Sequence, residues 1–224
     1  MALEVFWASG STPAWRVLLT LVVKGVPWDS HEIRLTRREQ RRPDFLAVNP
    51  RGKVPAIRDG DFTLRESIAI MAYLDRRFPE PSLFGATAEE SGRIHCLIAE
   101  HESYYRVPML SIVRPILYGG PGALAGKDDD IRAAGAALRE ELARLDEALT
   151  DRAWLVGDRL SAADIAIYPN IKLVQRAASR PSAERFELAL APLEERFPHV
   201  ATWCARIEAI PGYDVTYPPT WRDG

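Results

Sequence analysis

Cysteine is scarce in this 224-residue chain, which contains only Cys96 and Cys204. No Cys-x-x-Cys motif is present, and dithiol exchange of the thioredoxin type is therefore excluded. The two cysteines lie far apart in sequence, and helix-forming apolar residues flank both of them. We therefore expect buried free thiols, which fit a reducing cytosol, and a cytoplasmic protein.

Long hydrophobic runs and a strong net charge are also missing. The longest apolar runs near the start, 17–19 and 21–23, are far too short to span a bilayer. Glu4 stands where a signal peptide would carry positive charge. The net charge of −2 gives no global field for nucleic acid or an anionic membrane, and we expect neither as a partner. The four histidines have no metal-ligand spacing, so no metal site is predicted.

The first third of the chain alternates between strand and helix patterns. The order β-α-β-α-β-β-α predicts a thioredoxin-like α/β domain, with Asp59-Gly60 as a hairpin turn. The predicted strands are Leu3–Trp7, Trp28–Leu35, Val54–Ile57 and Phe62–Leu64, and the predicted helices are Pro13–Lys24, Pro43–Val48 and Ser67–Arg77.

Prolines and a glycine mark a linker after this domain, and almost no strand pattern follows it. Helical apolar spacing recurs instead, which predicts an all-α second half. The predicted helices are Glu89–Tyr105, Asp129–Leu149, Ala162–Ala178 and His199–Ile210. The predicted organisation is an α/β domain at 1–78, a linker at 79–87 and an all-helical domain at 88–224.

Several motifs occur in a fixed order along the chain. They are Ser-Thr-Pro-Ala-Trp-Arg-Val at 11–17, Asn-Pro-Arg-Gly-Lys-Val-Pro-Ala-Ile at 49–57, Glu-Ser at 66–67, and a helix start at 154–165. In the last motif Ser161 and Asp164 form a capping-box variant with a structural role. Together the motifs resemble cytosolic glutathione S-transferases of the serine type, with a theta-like pattern. The resemblance implies that family's fold, a thioredoxin-like domain followed by a helical bundle.

The resemblance implies that Ser11 activates the thiol of glutathione. That thiol is mostly protonated at neutral pH, with a pKa of ~8.5 like a free cysteine, whereas the thiolate is the nucleophile. The Ser11 hydroxyl and the free amides of a helix that starts near Pro13 can all point at one anion. Ser11 or Thr12 could equally be a simple helix cap. Ser9 is the nearest competitor for the catalytic role.

The same resemblance implies the residues that hold the rest of glutathione. Lys53, Val54 and Pro55 match the turn in which the residue before a cis-proline offers its backbone to the cysteine of glutathione. At the other end, Glu66 and Ser67 match the pair that receives the γ-glutamyl group, although Ser67 could also be only a helix cap.

Gln40 matches a polar residue near the glycine end of glutathione. The surrounding run of arginines at 37–42 could supply a guanidinium for the glycine carboxylate. Such a charge run is also typical of a plain solvated face.

The second substrate is expected to contact the first long helix of the helical domain. Tyr104, Tyr105 and Arg106 are the candidates, just before Pro108, which is expected to kink the helix. Arg106 matches an arginine of theta-like enzymes. The tyrosines could instead be core or interface residues, which is the commoner role of aromatic residues at helical spacing.

Three functions fit the resemblance. The first is a transferase, with a role in detoxification, that adds the glutathione thiolate to a small hydrophobic electrophile. The second is a non-catalytic glutathione-binding or scaffold protein of the same fold. The third is a zeta-like isomerase. Trp15-Arg16-Val17 favours it, but the cysteine of the zeta motif is replaced in Ser11-Thr-Pro-Ala.

The resemblance also implies a homodimer. The cations Arg76 and Arg77 and the acids Glu89, Glu90 and Glu100 are candidates for contacts between its chains. Both sets could equally be ordinary solvated faces, since exposed pairs are worth little.

Overall fold

The structure is a computed structural model that describes residues 3–222, so the predicted domain ends at residues 1 and 224 lie outside it. The strands are β1 (Leu3–Trp7), β2 (Trp28–Glu32), β3 (Ala56–Asp59) and β4 (Phe62–Arg65). The α-helices are α1 (Thr12–Lys24), α2 (Pro43–Val48), α3 (Ser67–Arg77), α4 (Ala88–Glu100), α5 (Arg106–Leu117), α6 (Asp128–Ala148), α7 (Ala162–Ala178), α8 (Pro198–Glu208) and α9 (Tyr213–Thr216). Short 3-10 helices occur at Leu35–Arg37, Glu39–Arg41, Pro181–Phe186 and Pro219–Trp221, and a π-helix at His101–Tyr105.

The chain forms two compact units. The first contains the residues up to Phe84 together with those from Glu208 onward, and the second contains Gly85–Ile207. The predicted helical domain instead included all of 88–224. The final segment belongs to the first unit because its aromatic rings, among them Tyr217 and Trp221, pack against Trp15 of α1.

The first unit is built on a four-stranded sheet in the order β2-β1-β3-β4. β1 pairs parallel to β2 and antiparallel to β3, which pairs antiparallel to β4. Apolar side chains of β1, α1, β3 and α3 form a core that includes Val5, Leu21, Ile57 and Ile70. Phe6 contributes to a second cluster with Phe45, Val48 and Ala56. This arrangement confirms the predicted α/β domain.

The second unit is helical throughout, as predicted. Asp164 organises the start of its buried helix α7. The carboxylate accepts hydrogen bonds from the backbone N–H and the hydroxyl of Ser161, at 2.8 and 2.7 Å, which confirms the predicted capping role of this pair. In the part of the chain that the structure describes, no helix is long and apolar enough to cross a membrane.

Two strand boundaries differ from the prediction. The second strand ends at Glu32 and not at Leu35, because the side chain of Glu39 accepts hydrogen bonds from the backbone and guanidinium N–H groups of Arg34 and holds the chain in a turn. The third strand begins at Ala56 and not at Val54, since the intervening proline has no N–H to donate to the ladder.

The first long helix of the second unit continues beyond its predicted end at Tyr105. A π-helical turn at His101–Tyr105 joins α4 to α5, which extends to Leu117. Pro108 lies in the first turn of α5, where it has no N–H to donate to the carbonyl of Tyr104. The expected irregularity therefore takes the form of a wider turn placed before the proline.

Candidate functional site

The strand register brings three segments of the first unit to one end of the sheet. Phe6 near the end of β1 pairs with Ala56 at the start of β3, and Ala56 pairs with Arg65 at the end of β4. The turn that follows β1, the peptide before β3 and the start of α3 must therefore lie beside one another. Ser11, Val54-Pro55 and Glu66-Ser67 lie on these segments, so the structure brings the core of the predicted site together.

Ser11 is the N-cap of α1. Its backbone is extended, with φ −79° and ψ 107°, and its hydroxyl accepts a long hydrogen bond of 3.4 Å from the N–H of Ala14. The side chain is half-buried, and Pro13 lies in the first turn of the helix. The capping role is thus present, and it leaves the proton of the hydroxyl for donation. A helix N-terminus also favours negative charge nearby.

Ser9, the competing serine, is engaged with the end of the chain. Its Oγ lies 2.7 Å from Oγ1 of Thr220 and accepts a hydrogen bond of 3.1 Å from the N–H of the same residue. Both Ser9 contacts reach a residue 211 positions away. The two serines of the turn therefore have different surroundings.

The turn before β3 presents the Val54–Pro55 peptide, whose bond is cis. Asn49, buried at the end of α2, organises this turn: its amide group donates to the carbonyl of Lys53 at 2.6 Å and accepts from the N–H of Arg51 at 3.1 Å. Gly52 has φ +60°, and a methyl group at its Cα would lie 2.8 Å from a backbone oxygen. Glycine is required here for both reasons.

Glu66 and Ser67 start α3 in an unusual backbone geometry. Glu66 has φ +70°, which is strained for a residue with a side chain, and its carboxylate is exposed. Ser67 is buried, and its hydroxyl accepts a hydrogen bond of 3.4 Å from the guanidinium of Arg16. Arg16 is itself only 4% exposed. This end of the site thus combines a helix N-terminus with a buried cation.

Gln40, which was expected near the glycine end, lies on a segment next to the turn that carries Lys53. Lys53 is exposed, and the backbone oxygen of Gln40 lies against Gly52. The Oε1 atom of Gln40 is buried, without a hydrogen-bond partner among the described residues. Any contact of Gln40 with a ligand would therefore have to use its amide nitrogen or its backbone.

The residues predicted for the second substrate belong to the second unit and differ in exposure. Tyr104 is 63% exposed, and Arg106 is exposed and paired with Glu102 at 3.3 Å. Tyr105 is only 3% exposed, stacks on the buried His101 at 4.6 Å, and has a hydroxyl with no exposed surface. Burial also raises the pKa of this hydroxyl. The burial of Tyr105 fits the core role that was its alternative, although the residue also lines a cavity of about 350 Å³ together with Tyr104.

A separate cavity of about 570 Å³ lies against the α2 side of the sheet. Its lining includes Phe6, His31 stacked on Phe6 at 4.8 Å, and Arg58 paired with Glu4 at 2.6 Å. The hydrogen bonds from Arg58 hold the pKa of Glu4 below its usual value. Arg42, from the arginine run expected near the glycine end, also lines this cavity, whereas Ser11, Val54-Pro55 and Glu66-Ser67 do not.

Sequence reasoning did not single out Arg16, Asn49 and Thr220, which form hydrogen bonds with Ser67, Lys53 and Ser9 respectively. The burial of Arg16 could have been suspected, because both of its neighbours belong to the apolar pattern of α1. Asn49 is a polar residue at a helix end before a proline, which is typical of a turn-forming side chain. No local signal indicates the contact of Thr220.

Two family models together match most of the chain. Residues 10–77 match the family model described as "Glutathione S-transferase, N-terminal domain", and residues 101–211 match "Glutathione S-transferase, C-terminal domain". No group of three or more histidines, cysteines and acidic residues that could hold a metal ion occurs within 3–222.

Curated relatives carry matching names. Glutathione S-transferase F10 of Arabidopsis thaliana is 33% identical over 156 residues, 69% of this chain and 73% of its own. A maleylacetoacetate isomerase of Pseudomonas aeruginosa is 28% identical over 95% of this chain and 94% of its own. Human glutathione S-transferase theta-2B is 26% identical over 96% of this chain and 84% of its own.

Solved structures with the same fold include glutathione transferases. Poplar glutathione transferase F1 superimposes with a TM-score of 0.79 at 25% identity, over 96% of both chains. A glutathione transferase family member from Pseudomonas fluorescens, solved with two glutathione bound, gives a TM-score of 0.82 at 22% identity over 97% of this chain and 92% of its own.

Proposed function

Because the chain belongs to the glutathione S-transferase family, we propose that it binds glutathione at the end of its sheet and stabilises the thiolate for attack on a small hydrophobic electrophile. The sulfur forms the new bond, and either a leaving group departs with its electron pair or the adduct takes up a proton. A role in the detoxification of such electrophiles follows from this reaction. Cys204 is buried as predicted, whereas Cys96 is exposed, and two free cysteines suit a reducing compartment such as the cytoplasm.

The observation that carries the proposal is the contrast between Ser11 and Ser9. Ser11 caps α1 through one long acceptor bond, so its O–H can still donate to an anion at the helix N-terminus. Ser9 is bound to Thr220 instead. A shift of two units in the thiol pKa corresponds to ~2.7 kcal/mol, which a hydroxyl donor and a helix terminus can supply together.

The other proposed contacts are assigned to the cysteine, γ-glutamyl and glycine parts of glutathione. The Val54 backbone N–H and C=O precede the paired part of β3, which starts at Ala56, and they suit the cysteine of glutathione. Glu66 and Ser67 suit the charged amino and carboxylate groups of the γ-glutamyl end, and the buried Arg16 adds positive potential behind Ser67. Lys53 suits the glycine carboxylate, with Gln40 beside it.

The first test is the replacement of Ser11 by alanine. Loss of a hydrogen bond to a charged sulfur, ~1.5–3 kcal/mol, should lower kcat by roughly ten-fold or more. The pKa of the bound thiol should rise, as read from the ultraviolet absorbance of the thiolate, while the KM for glutathione changes little. Ser9→Ala tests the competing serine and should have the smaller kinetic effect, and Ser182→Ala, at an exposed serine of the second unit, is the matched control. A larger kinetic effect of Ser9→Ala than of Ser11→Ala would reassign the catalytic hydroxyl.

The second test addresses the γ-glutamyl end. Ser67→Ala and Glu66→Gln should each weaken glutathione binding by roughly ten-fold, because a partner of a charged ligand group is lost. The apparent pKa in the pH profile of the remaining activity should not change, since these residues lie away from the sulfur. Calorimetric titration measures the affinity, with the exposed Glu80→Gln as control. Equal affinities in all variants would leave Ser67 only as the partner of Arg16 at the start of α3, where Glu66 is the N-cap and no side chain caps the helix.

A glutathione-dependent isomerase is the second candidate function. The near full-length similarity to the Pseudomonas aeruginosa isomerase and Trp15-Arg16-Val17 favour it. The absence of cysteine between Ser9 and Trp15 weighs against it. Mass spectrometry of products distinguishes the two reactions, because conjugation adds the mass of glutathione to the substrate and isomerisation leaves the mass unchanged. A protein that binds glutathione and gives neither product would be the non-catalytic alternative.

We also propose that the chain forms a homodimer, as its family resemblance implies. Two of the predicted charged residues already have partners within the chain, because Arg77 approaches Asp59 and Glu90 approaches Arg159, both at 3.8 Å. Exposed apolar side chains of the two units, such as Phe62 and Val107, are better suited to a stable interface.

A further inference from the structure

The last described segment of the chain, Tyr213–Arg222, is anchored on α1. The indole N–H of the buried Trp15 donates to Oγ1 of Thr216 at 2.9 Å. Three rings of the segment lie 5.4–6.2 Å from the indole ring, those of Tyr213, Tyr217 and Trp221. The guanidinium of Arg222 covers Tyr217 and donates to the backbone oxygen of Asp214 at 2.8 Å. These contacts give the segment a fixed position within the first unit.

From this anchored segment, Thr220 contacts the turn between β1 and α1. The hydroxyl groups of Thr220 and Ser9 are 2.7 Å apart, and the N–H of Thr220 donates to the same Ser9 oxygen at 3.1 Å. The neighbouring Trp221 covers Gly10, since a methyl group at Gly10 would lie 3.0 Å from its Nε1. Thr220 and Trp221 therefore contact two consecutive residues of the turn.

Ser9 and Gly10 are the two central residues of a tight turn that ends at Ser11. The N–H of Ser11 donates to the carbonyl of Ala8 at 3.1 Å, and Gly10 has φ +77°. A positive φ at the third residue is typical of a type II turn, in which Ser9 is the second residue and Ser11 the fourth. The position of the Ser11 hydroxyl is therefore set by the turn that Thr220 holds.

We propose that Thr220 is a positioning residue, which acts through Ser9 to place the Ser11 hydroxyl at the glutathione sulfur. This inference rests on the proposed function of Ser11. A catalytic donor has to be held within about 0.5 Å of its productive position, and a displacement of about 1 Å can be costly. The long cap bond from Ala14 holds the Ser11 side chain weakly, so the turn needs a second restraint. Thr220 provides it from a segment that contacts neither end of the tripeptide in the proposed binding mode.

The test compares Thr220→Val with Thr220→Ser. Valine keeps the shape but loses the hydroxyl, and we expect a three- to ten-fold lower kcat, an unchanged KM for glutathione and a higher pKa of the bound thiol. Serine restores the hydroxyl and should restore kcat and the thiol pKa to the parent values. Thr202→Val, which removes a hydroxyl bonded to a backbone oxygen in the second unit, is the matched control and should change none of them.

Two outcomes would overturn the inference. One is an unchanged thiol pKa and kcat in Thr220→Val, with or without a lower melting temperature, because a purely structural contact would affect stability alone. The other is a shift of the thiol pKa by Thr220→Val that is equally large when Ser11 is already alanine, since the effect would then not pass through Ser11. If Ser11→Ala alone leaves the thiol pKa and kcat unchanged, the proposed role of Ser11 itself fails, and the inference fails with it.

Discussion

Replacing Asp164 with alanine is expected to lower the free energy of unfolding by about 4 kcal/mol. The carboxylate is fully buried and accepts four hydrogen bonds. They come from the N–H and hydroxyl of Ser161, from the N–H of Leu155 at 3.0 Å, and from the indole N–H of Trp203 at 2.8 Å. Alanine would leave these donors buried without an acceptor, and each costs about 1–3 kcal/mol if water cannot enter.

Chemical denaturation of Asp164→Ala, Asp164→Asn and the exposed control Asp151→Ala measures this effect. Asparagine keeps one oxygen as acceptor and should lose about half as much stability, and Asp151→Ala should stay within about 0.5 kcal/mol of the parent. A loss below 1 kcal/mol in Asp164→Ala would mean that the network around α7 is replaceable by water or by rearrangement.

The fold was predictable wherever local pattern and packing agree. The strand Leu3–Trp7 and the helix Ser67–Arg77 have their predicted bounds, because an apolar run or a clear helix start and stop defines each of them. The predicted strand Trp28–Leu35 was too long because its alternating pattern continues past Glu32, whereas the contact of Glu39 with Arg34 that bends the chain depends on side-chain geometry.

The helix after Tyr105 shows a second limit of pattern reading. A proline at position 108 predicts a disturbance, but sequence alone does not distinguish a kink, a helix end and a π-helical turn. The structure contains the π-helical turn, with the N–H of Arg106 bonded to the carbonyl of His101 five residues earlier. Sequence left both substrate contact and a core role open for Tyr105, and its 3% exposure fits the core role.

The candidate site was predictable as a set of segments and less so as a set of contacts. Motifs located Ser11, Val54-Pro55 and Glu66-Ser67, and the sheet register explains why they meet. The contacts behind them were not predictable, because Thr220 meets Ser9 across 211 positions and no periodicity extends over that distance. For the same reason, sequence alone does not show that the segment from Glu208 onward groups with the first unit.

A buried ion pair fixes the far end of the two helices that carry the site. Lys24 ends α1, and its side chain is completely buried. Its ammonium group donates to the Asp75 carboxylate of α3 at 2.5 Å and to the backbone oxygens of Phe78 and Pro81 at 2.7 and 2.5 Å. The same carboxylate accepts from the N–H of Leu83 at 2.8 Å, so both charges are fully engaged.

Lys24→Met is therefore expected to lower the free energy of unfolding by about 3–5 kcal/mol, since it leaves the Asp75 carboxylate buried without its cation. The double variant Lys24→Met, Asp75→Asn removes the unpaired charge while keeping an acceptor for Leu83, and it should recover part of the loss. Arg76→Met, which removes an exposed cation from α3, is the matched control and should stay within about 0.5 kcal/mol. Denaturant titration measures all three variants. Two results would contradict this account. Equal stability of Lys24→Met and Arg76→Met would show that the buried pair contributes no more than a solvated surface charge does. A double variant less stable than Lys24→Met would show that the loss does not come from the uncompensated carboxylate.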